Sequence, residues 1–123
     1  MEHKIFSFEK LLVWQKSRIL ATEIYKITSK FPKDELFDMT SQMRRCSISI
    51  SSNLAEGSGR SSIKDKARFT EIAFGSGLEL LNQLVIAYDL NFITQNLYVE
   101  IRTKIQEVTY LLDALHKAQL KPQ

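Results

Sequence analysis

The stretch QMRRCSISISSNLAEGSGR, residues 42–60, decides the fold of this chain because two stripes of different character run through it. An α-helix turns by about 100° per residue, so one polar set falls within roughly 80° of arc and an apolar set fills the adjoining arc. The polar stripe consists of Gln42, Arg45, Ser49, Asn53 and Glu56. The apolar stripe consists of Leu36, Met39, Met43, Cys46, Ile50 and Leu54.

The polar stripe borders the apolar one instead of opposing it, and its residue types are unusual for a solvated face. Amides, a hydroxyl and an opposite-charge pair are typical of a partly buried, hydrogen-bonded seam. We therefore predict that the stripe is structural. Gln42, Ser49, Asn53 and Glu56 should meet polar partners, including Arg45 and groups of the third helix, on a neighbouring helix or subunit. Gly57 is predicted to end the helix as a left-handed C-cap.

Hydrophobic periodicity predicts four helices, at about residues 8–30, 34–57, 62–91 and 94–120. Pro32 stops the first helix. Ser62 and Asp65 form a capping signature at the start of the third helix, and Thr94 caps the fourth. Because the connections are short, neighbouring helices are expected to be antiparallel. The sequence thus predicts one all-α domain over residues 1–123, an antiparallel up-down-up-down four-helix bundle.

The third helix is apolar on two opposed sides. One side keeps the spacing of four and three residues that a bundle core requires, through Ile63, Ala67, Thr70, Phe74, Gly77, Leu81, Leu84 and Tyr88. The other side is also largely apolar, and exposed apolar patches commonly mark partner sites. A wide core stripe is the alternative interpretation. We favour an oligomer interface formed by Phe69, Ile72, Leu80, Ala87 and Leu90.

Positive charge is concentrated in residues 41–70, which hold six basic and two acidic side chains. A local basic patch of this kind points toward polyanions. Arg44 lies opposite the core arc of its helix, so its guanidinium should be free. The competing interpretation is that these cations only solubilise a loop. We predict that nucleic acid contacts Arg44, Arg60, Lys64, Lys66 and Arg68.

No constellation of residues predicts catalysis or a metal site. His3 and His116 lie near opposite ends of the chain without metal-ligand spacing, and Asp113 with His116 forms an isolated pair. The loop at residues 57–60 lacks the Gly-Lys-Ser/Thr ending of a P-loop. The chain is therefore predicted not to be an enzyme and to use no metal or cofactor.

The protein is expected to be cytoplasmic and not to associate with membranes. Its single cysteine, Cys46, lies on the apolar side of its helix, which favours a buried free thiol in a reducing compartment. The first ten residues, MEHKIFSFEK, lack the apolar core of a signal peptide. Glu79 and Asp89 interrupt the longest apolar run, which is therefore too short to cross a bilayer.

Several motifs along the chain resemble a known family. They are F-x-x-L-x-V-W-Q at 8–15, Phe31-Pro32 with Glu35, Gln42, Arg44-Arg45, Ser49-Ile50, NLAEG at 53–57, Arg60, and Phe69, Ala73, Gly75-Ser76 and Glu79. In this order they resemble the small bacterial four-helix-bundle proteins called 23S ribosomal RNA intervening-sequence proteins. These are related to the accessory variability protein of diversity-generating retroelements. The likeness extends over about residues 8–115.

The resemblance implies a homopentameric ring of four-helix bundles and a role connected with nucleic acid. Genes of the family often lie inside intervening sequences of ribosomal RNA genes, and the retroelement relatives bind nucleic acid and a reverse transcriptase. Because no catalytic residues are known for the family, none is transferred to this chain.

Two function classes follow. The first is an accessory protein that binds RNA or DNA, and the second is an oligomeric scaffold whose partner is another protein. A continuous basic surface favours the first, and scattered charge favours the second. An aromatic stacking surface would favour single-stranded nucleic acid, but Trp14, Tyr25 and Tyr88 are expected to belong to the core.

Overall fold

Apolar residues that recur every three or four positions give four α-helices in the computed structural model, which describes residues 2–122. The helices are α1 (Leu12–Thr28), α2 (Ser41–Ser58), α3 (Ile63–Asp89) and α4 (Gln95–Leu120). Consecutive helices pack against one another, and α4 returns to α1. No strand occurs between residues 2 and 122. The predicted all-α four-helix bundle, with its up-down-up-down order, is confirmed.

The core lies between the four helices and is built of aliphatic side chains. Burying one such side chain completely stabilises the fold by about 1.5–3 kcal/mol. The largest fully buried members are Leu20, Ile24, Met43, Ile50, Leu80, Leu84, Ile101, Ile105, Val108 and Leu112. Within the described part of the chain, no helix combines the length and the apolarity needed to cross a membrane.

Irregular turns precede the first two helices, which therefore begin later than the periodicity predicts. Ser7–Lys10 forms a 3-10 turn, and Leu11 is extended between this turn and α1, with φ −72° and ψ 126°. Lys33–Glu35 is a second 3-10 turn, and Leu36–Thr40 is a π-helical turn that leads into α2. Phe37, within this wider turn, projects into solvent and is 89% exposed.

The predicted starts of α3 and α4 are confirmed by their caps. The Ser62 hydroxyl accepts a hydrogen bond from the Asp65 amide at 3.1 Å. The Thr94 hydroxyl likewise accepts one from the Leu97 amide at 3.2 Å. Each cap satisfies an amide that has no partner within its helix. Between α3 and α4, Asn91 takes a φ of 63°, in the left-handed region that asparagine tolerates.

Gly57 does not cap α2. The helix continues through it to Ser58, and the C-cap residue Gly59 has a φ of −86°, so the predicted left-handed cap is wrong. A Cβ built on Gly57 would lie 2.8 Å from the Cβ of Phe69. Glycine is therefore needed here because α2 and α3 approach closely.

The buried stripe of α3 differs from the stripe that its spacing predicts. It follows small side chains, through Ala67, Thr70, Ala73, Gly77, Leu80, Gln83, Leu84 and Ala87. Phe74, Leu81 and Tyr88 lie half-buried at its flank. Leu80 and Ala87 are fully buried in the chain's own core, so they cannot contact a second copy. For these two residues the predicted oligomer interface is wrong.

Candidate nucleic-acid interface

A cluster of cations lies where α2 ends and α3 begins. Arg60 is in the short connection, and the other three members occupy the first turns of α3. We call these residues the basic cluster: Arg60, Lys64, Lys66 and Arg68. Lys66 is half-buried and the other three side chains are exposed. The N-terminal end of α3 adds a positive potential of its own at the same place.

Most of the charge in the basic cluster is available to a ligand. Neither Lys64 nor Arg68 makes an ion pair with any described residue. The Arg60 guanidinium lies 4.8 Å from the centre of the Phe69 ring, and its Nη2 is 3.9 Å from Oε1 of Glu56. An exposed ion pair at that separation is weak. Arg60 therefore retains an exposed, planar charge.

Lys66 lines a cavity of about 180 Å³ at this end of the bundle. Ser7 of the N-terminal 3-10 turn and Gln119 of the last turn of α4 also line this cavity. The Oε1 atom of Gln119 is buried without a hydrogen-bond partner among the described residues. The cavity thus brings the start of the chain next to the basic cluster.

Arg44 is not free, contrary to the prediction. Its Nε donates a hydrogen bond to Oγ1 of Thr28 at 2.9 Å, and its Nη2 donates to the carbonyl oxygen of Tyr25 at 3.3 Å. The guanidinium also lies 4.6 Å from the centre of the Tyr25 ring. These partners belong to the C-terminal turn of α1, where the helix dipole is negative. Arg44 therefore tethers α2 to α1.

Three members of the polar stripe form a hydrogen-bonded seam between α2 and α3. The hydroxyls of Ser49 and Ser76 are 2.8 Å apart. The Asn53 amide nitrogen donates to the Ser49 carbonyl at 2.8 Å and to the Ser49 hydroxyl at 3.0 Å. Gln83 donates to Oε1 of Gln42 at 3.5 Å. Groups of the third helix are thus partners of the stripe.

The other two members of the stripe, Arg45 and Glu56, do not join this seam. Both are exposed. Glu56 faces Arg60 at 3.9 Å rather than Arg45 or a group of α3. Arg45 lines an open cavity of about 330 Å³ together with Glu79. Within the described residues of the single chain neither of them pairs with a group of α3, and a partner on a neighbouring subunit stays a prediction.

Some titratable groups outside the basic cluster have charged neighbours. Burial, followed by the nearby Glu79 carboxylate, raises the pKa of the Cys46 thiol to about 11, so this thiol is neutral at physiological pH. Lys117 pairs with Asp113 at 2.9 Å, and Nε2 of His116 is 3.6 Å from Oε2 of Glu71. Residues 2–122 contain no group of three acidic, histidine or cysteine side chains placed to hold a metal.

An aromatic array at the start of the chain is the feature that sequence reasoning missed. The Phe6 and Phe8 rings stack with centres 6.4 Å apart, and Phe8 meets Trp14 edge to face at 5.1 Å. Lys4 lies 5.1 Å from the Phe6 ring and Arg18 lies 5.6 Å from the Trp14 ring. Phe6 is 54% exposed. The available signal was a pair of phenylalanines, Phe6 and Phe8, between Lys4 and Lys10, but the turn that assembles the array gives no helical periodicity.

The model of the 23S rRNA-intervening sequence protein family matches residues 9–114. The chain belongs to this family. A crystal structure of a protein of unknown function from the S23 ribosomal protein family of Bacteroides thetaiotaomicron is also similar, with a TM-score of 0.80 and 25% sequence identity. The match covers 86% of this chain and 96% of that one. No curated protein matches the chain.

In this member of the intervening-sequence protein family, α3 also presents three exposed apolar side chains on one face, with the exposed Glu79 between the first two. We call Ile72, Ile86 and Leu90 the outer row; they are 41%, 39% and 51% exposed. Ile72 and Leu90 are the members of the predicted oligomer interface that remain exposed on the surface. Phe69 is half-buried beneath Arg60. A helix face of this kind is a candidate for contact with another protein surface.

Proposed function

We propose that this intervening-sequence protein is a homo-oligomeric, non-enzymatic helical bundle that binds nucleic acid, RNA or DNA, through its basic cluster. The observation that carries the proposal is the exposure of Arg60, Lys64 and Arg68 together at one end of the bundle. Lys66 borders the same surface. The proposal assigns no metal or cofactor to the chain and places the protein in the cytoplasm.

Binding by such a cluster depends mainly on phosphate charge. Lysine and arginine that neutralise phosphates release condensed counterions, so the affinity falls as the salt concentration rises. The cluster is modest in a single chain. In a ring of identical subunits it would be repeated, and repeated weak sites raise the overall affinity without new contacts. Oligomerisation, as a pentamer in keeping with the family resemblance, is therefore part of the proposal.

The proposal is tested by fluorescence anisotropy with labelled RNA and DNA at several salt concentrations. A triple variant, Arg60→Ala with Lys64→Ala and Arg68→Ala, should bind weakly. The slope of log affinity against log salt should fall by about 2, since each lost phosphate contact contributes about 0.7–0.9. The matched control is Lys26→Ala with Lys30→Ala and Lys33→Ala. It removes three exposed charges at the opposite end of the bundle and should leave binding unchanged.

The outcomes separate the proposal from its alternative. Absence of binding at low salt, or equal loss in the two triple variants, contradicts a site at the basic cluster. An oligomeric scaffold for a partner protein is the second candidate function, and the outer row of α3 favours it. A stable oligomer that binds neither RNA nor DNA would support this scaffold.

A further inference from the structure

The basic end of the bundle combines its charges with two surfaces suited to stacking. One is the exposed ring of Phe6, and the other is the guanidinium plane of Arg60 over Phe69. We propose that the ligand of this end is single-stranded nucleic acid, with unpaired bases stacked on these two surfaces. The inference rests on the proposed nucleic-acid function and adds the class of ligand.

The Phe6 ring is held at the surface by the turn that follows it. The Phe6 amide donates a hydrogen bond to Oε2 of Glu9 at 2.8 Å, and the Glu9 amide donates to the Phe6 carbonyl at 3.1 Å. The planes of Phe6 and Phe8 differ by only 19°, so Phe8 backs the exposed ring. Lys4, which lies over this ring, is exposed and can turn to a phosphate when a base occupies its place.

Arg60 supplies a second flat surface. Its guanidinium lies over the Phe69 ring at 4.8 Å, while the Arg60 side chain remains 47% exposed. Proteins that read single-stranded RNA stack its bases on aromatic rings and on arginine guanidinium planes. A lysine in this position would keep the charge and lose the plane.

Residues beside each of the two surfaces line one cavity, which places both surfaces at the same end of the bundle. Ser7, next to Phe6 in the chain, and Lys66, in the basic cluster, both line the cavity of about 180 Å³. Lys64 and Arg68 lie on the same end of α3, where they can contact phosphates between stacked bases. A single-stranded nucleic acid that crosses this cavity would therefore contact the stacking surfaces and the basic cluster together.

Stacking distinguishes a single strand from a duplex. In a duplex each base face is covered by its neighbours, so a ring at the protein surface gains contact with phosphate and sugar only. In a single strand every base has an accessible face. Each base that stacks on a protein side chain typically contributes a substantial part of the binding free energy. The structure thus predicts a preference for single strands that the charge alone would not give.

The test compares labelled single-stranded RNA and DNA oligonucleotides with a duplex of the same length, in the full chain at fixed salt. The single strands should bind about tenfold more tightly than the duplex, as one stacked base predicts. Phe6→Leu, which keeps an apolar side chain, should weaken single-strand binding about tenfold and leave duplex binding unchanged. Arg60→Lys should act in the same direction. The control is Phe37→Leu, which alters an exposed ring at the opposite end of the bundle and should change neither.

A second readout uses the only tryptophan of the chain, Trp14, which contacts the ring of Phe8. Its fluorescence should change when single strands bind and not when the duplex binds. Equal affinity for single strands and duplex, with Phe6→Leu behaving as the parent, would overturn the stacking proposal and leave the proposed function in place. Failure of all probes to bind at low salt would overturn both.

Discussion

At the scale of single residues, two glycines, one in α2 and one in α3, mark close contacts between helices. A Cβ on Gly57 would lie 2.8 Å from Cβ of Phe69, and one on Gly77 would lie 2.7 Å from Cγ2 of Thr109. Both neighbouring atoms are attached close to their own backbones and have little room to move. Close packing of α3 against α2 and α4 therefore depends on the absence of a side chain at these positions.

We predict that Gly57→Ala destabilises the protein. The clash with Phe69 should cost about 1–3 kcal/mol, which on average exceeds the gain of about 0.5–1 kcal/mol that alanine brings to a helix. Thermal unfolding measures the difference. Gly75→Ala is the matched control, because no atom of a neighbour lies within 4 Å of its Cβ position. That variant should be more stable than the parent by about 0.5–1 kcal/mol, and the same sign in both variants would contradict the prediction.

Arg44 and Gly57 differ from their sequence-based predictions for the same reason. The positions of Arg44 and Gly57 along their helix were correct, but the neighbouring helix decides what each of them does. Arg44 donates a hydrogen bond to Thr28 on α1, and Gly57 packs closely against Phe69 on α3. Periodicity gives the direction of a side chain relative to its own helix axis. Periodicity does not give the distance to the neighbouring helix or the positions of the polar atoms on that helix.

At the scale of elements, the contact of α1 with α2 is polar as well as apolar. Arg44 donates two hydrogen bonds to the last turn of α1 and lies over the ring of Tyr25. A guanidinium supplies several donors in one plane, whereas an ammonium is a single rotating point of charge. The tether therefore requires arginine rather than positive charge alone.

We predict that Arg44→Ala lowers the free energy of unfolding by about 1–2 kcal/mol, because Thr28 and Tyr25 lose a charged donor. Arg44→Lys should restore only part of this loss. Chemical denaturation measures both variants, and Arg68→Ala, in which an exposed cation is removed, is the control that should match the parent. Nucleic-acid binding should survive Arg44→Ala. If Arg44→Ala weakens binding without affecting stability, Arg44 contacts the ligand and the tether is unimportant.

The elements that carry local signals were predicted well, and those set by packing were not. The caps at Ser62 and Thr94 involve residues only three positions apart, so they can be predicted from the local sequence, and α3 and α4 begin where expected. The extended Leu11 and the π turn at Leu36–Thr40 have no such signature. In α3 the buried stripe keeps Ala67, Thr70, Gly77 and Leu84 from the predicted core spacing and adds Ala73, Leu80, Gln83 and Ala87. The two predicted stripes thus each contribute to the core, which periodicity alone does not resolve.

At the scale of the whole molecule, one end of the bundle and its flank present different surfaces to a partner. The end with the basic cluster carries the aromatic array and the cavity lined by Ser7 and Lys66. The flank of the bundle carries the outer row on α3. The family and the four-helix bundle could be predicted from the sequence, whereas the joining of the N-terminal turn to the basic cluster required the tertiary fold. Ligand binding and assembly are thus proposed for separate surfaces.

We predict that the chain forms a homo-oligomer through the outer row. Ile72, Ile86 and Leu90 are exposed in the single chain, and contact with a second copy would remove this apolar area from water. Light scattering coupled to size exclusion at micromolar concentration measures the state of assembly. Ile72→Glu with Ile86→Glu should dissociate the oligomer, because each new carboxylate would have to be buried without a partner. Both positions are solvent-exposed, so the single chain should remain folded.

The control is Val99→Glu, which changes a comparably exposed residue, 54% accessible, on α4. This variant should assemble as the parent does, since α4 lies outside the outer row. A monomeric parent would contradict assembly altogether, and a stable dimer would contradict only the pentamer that the family resemblance implies. Dissociation by Val99→Glu, with no effect of the double variant, would place the interface on α4. Because the basic cluster lies at the end of the bundle, the double variant should still bind nucleic acid, with the lower affinity of a single site.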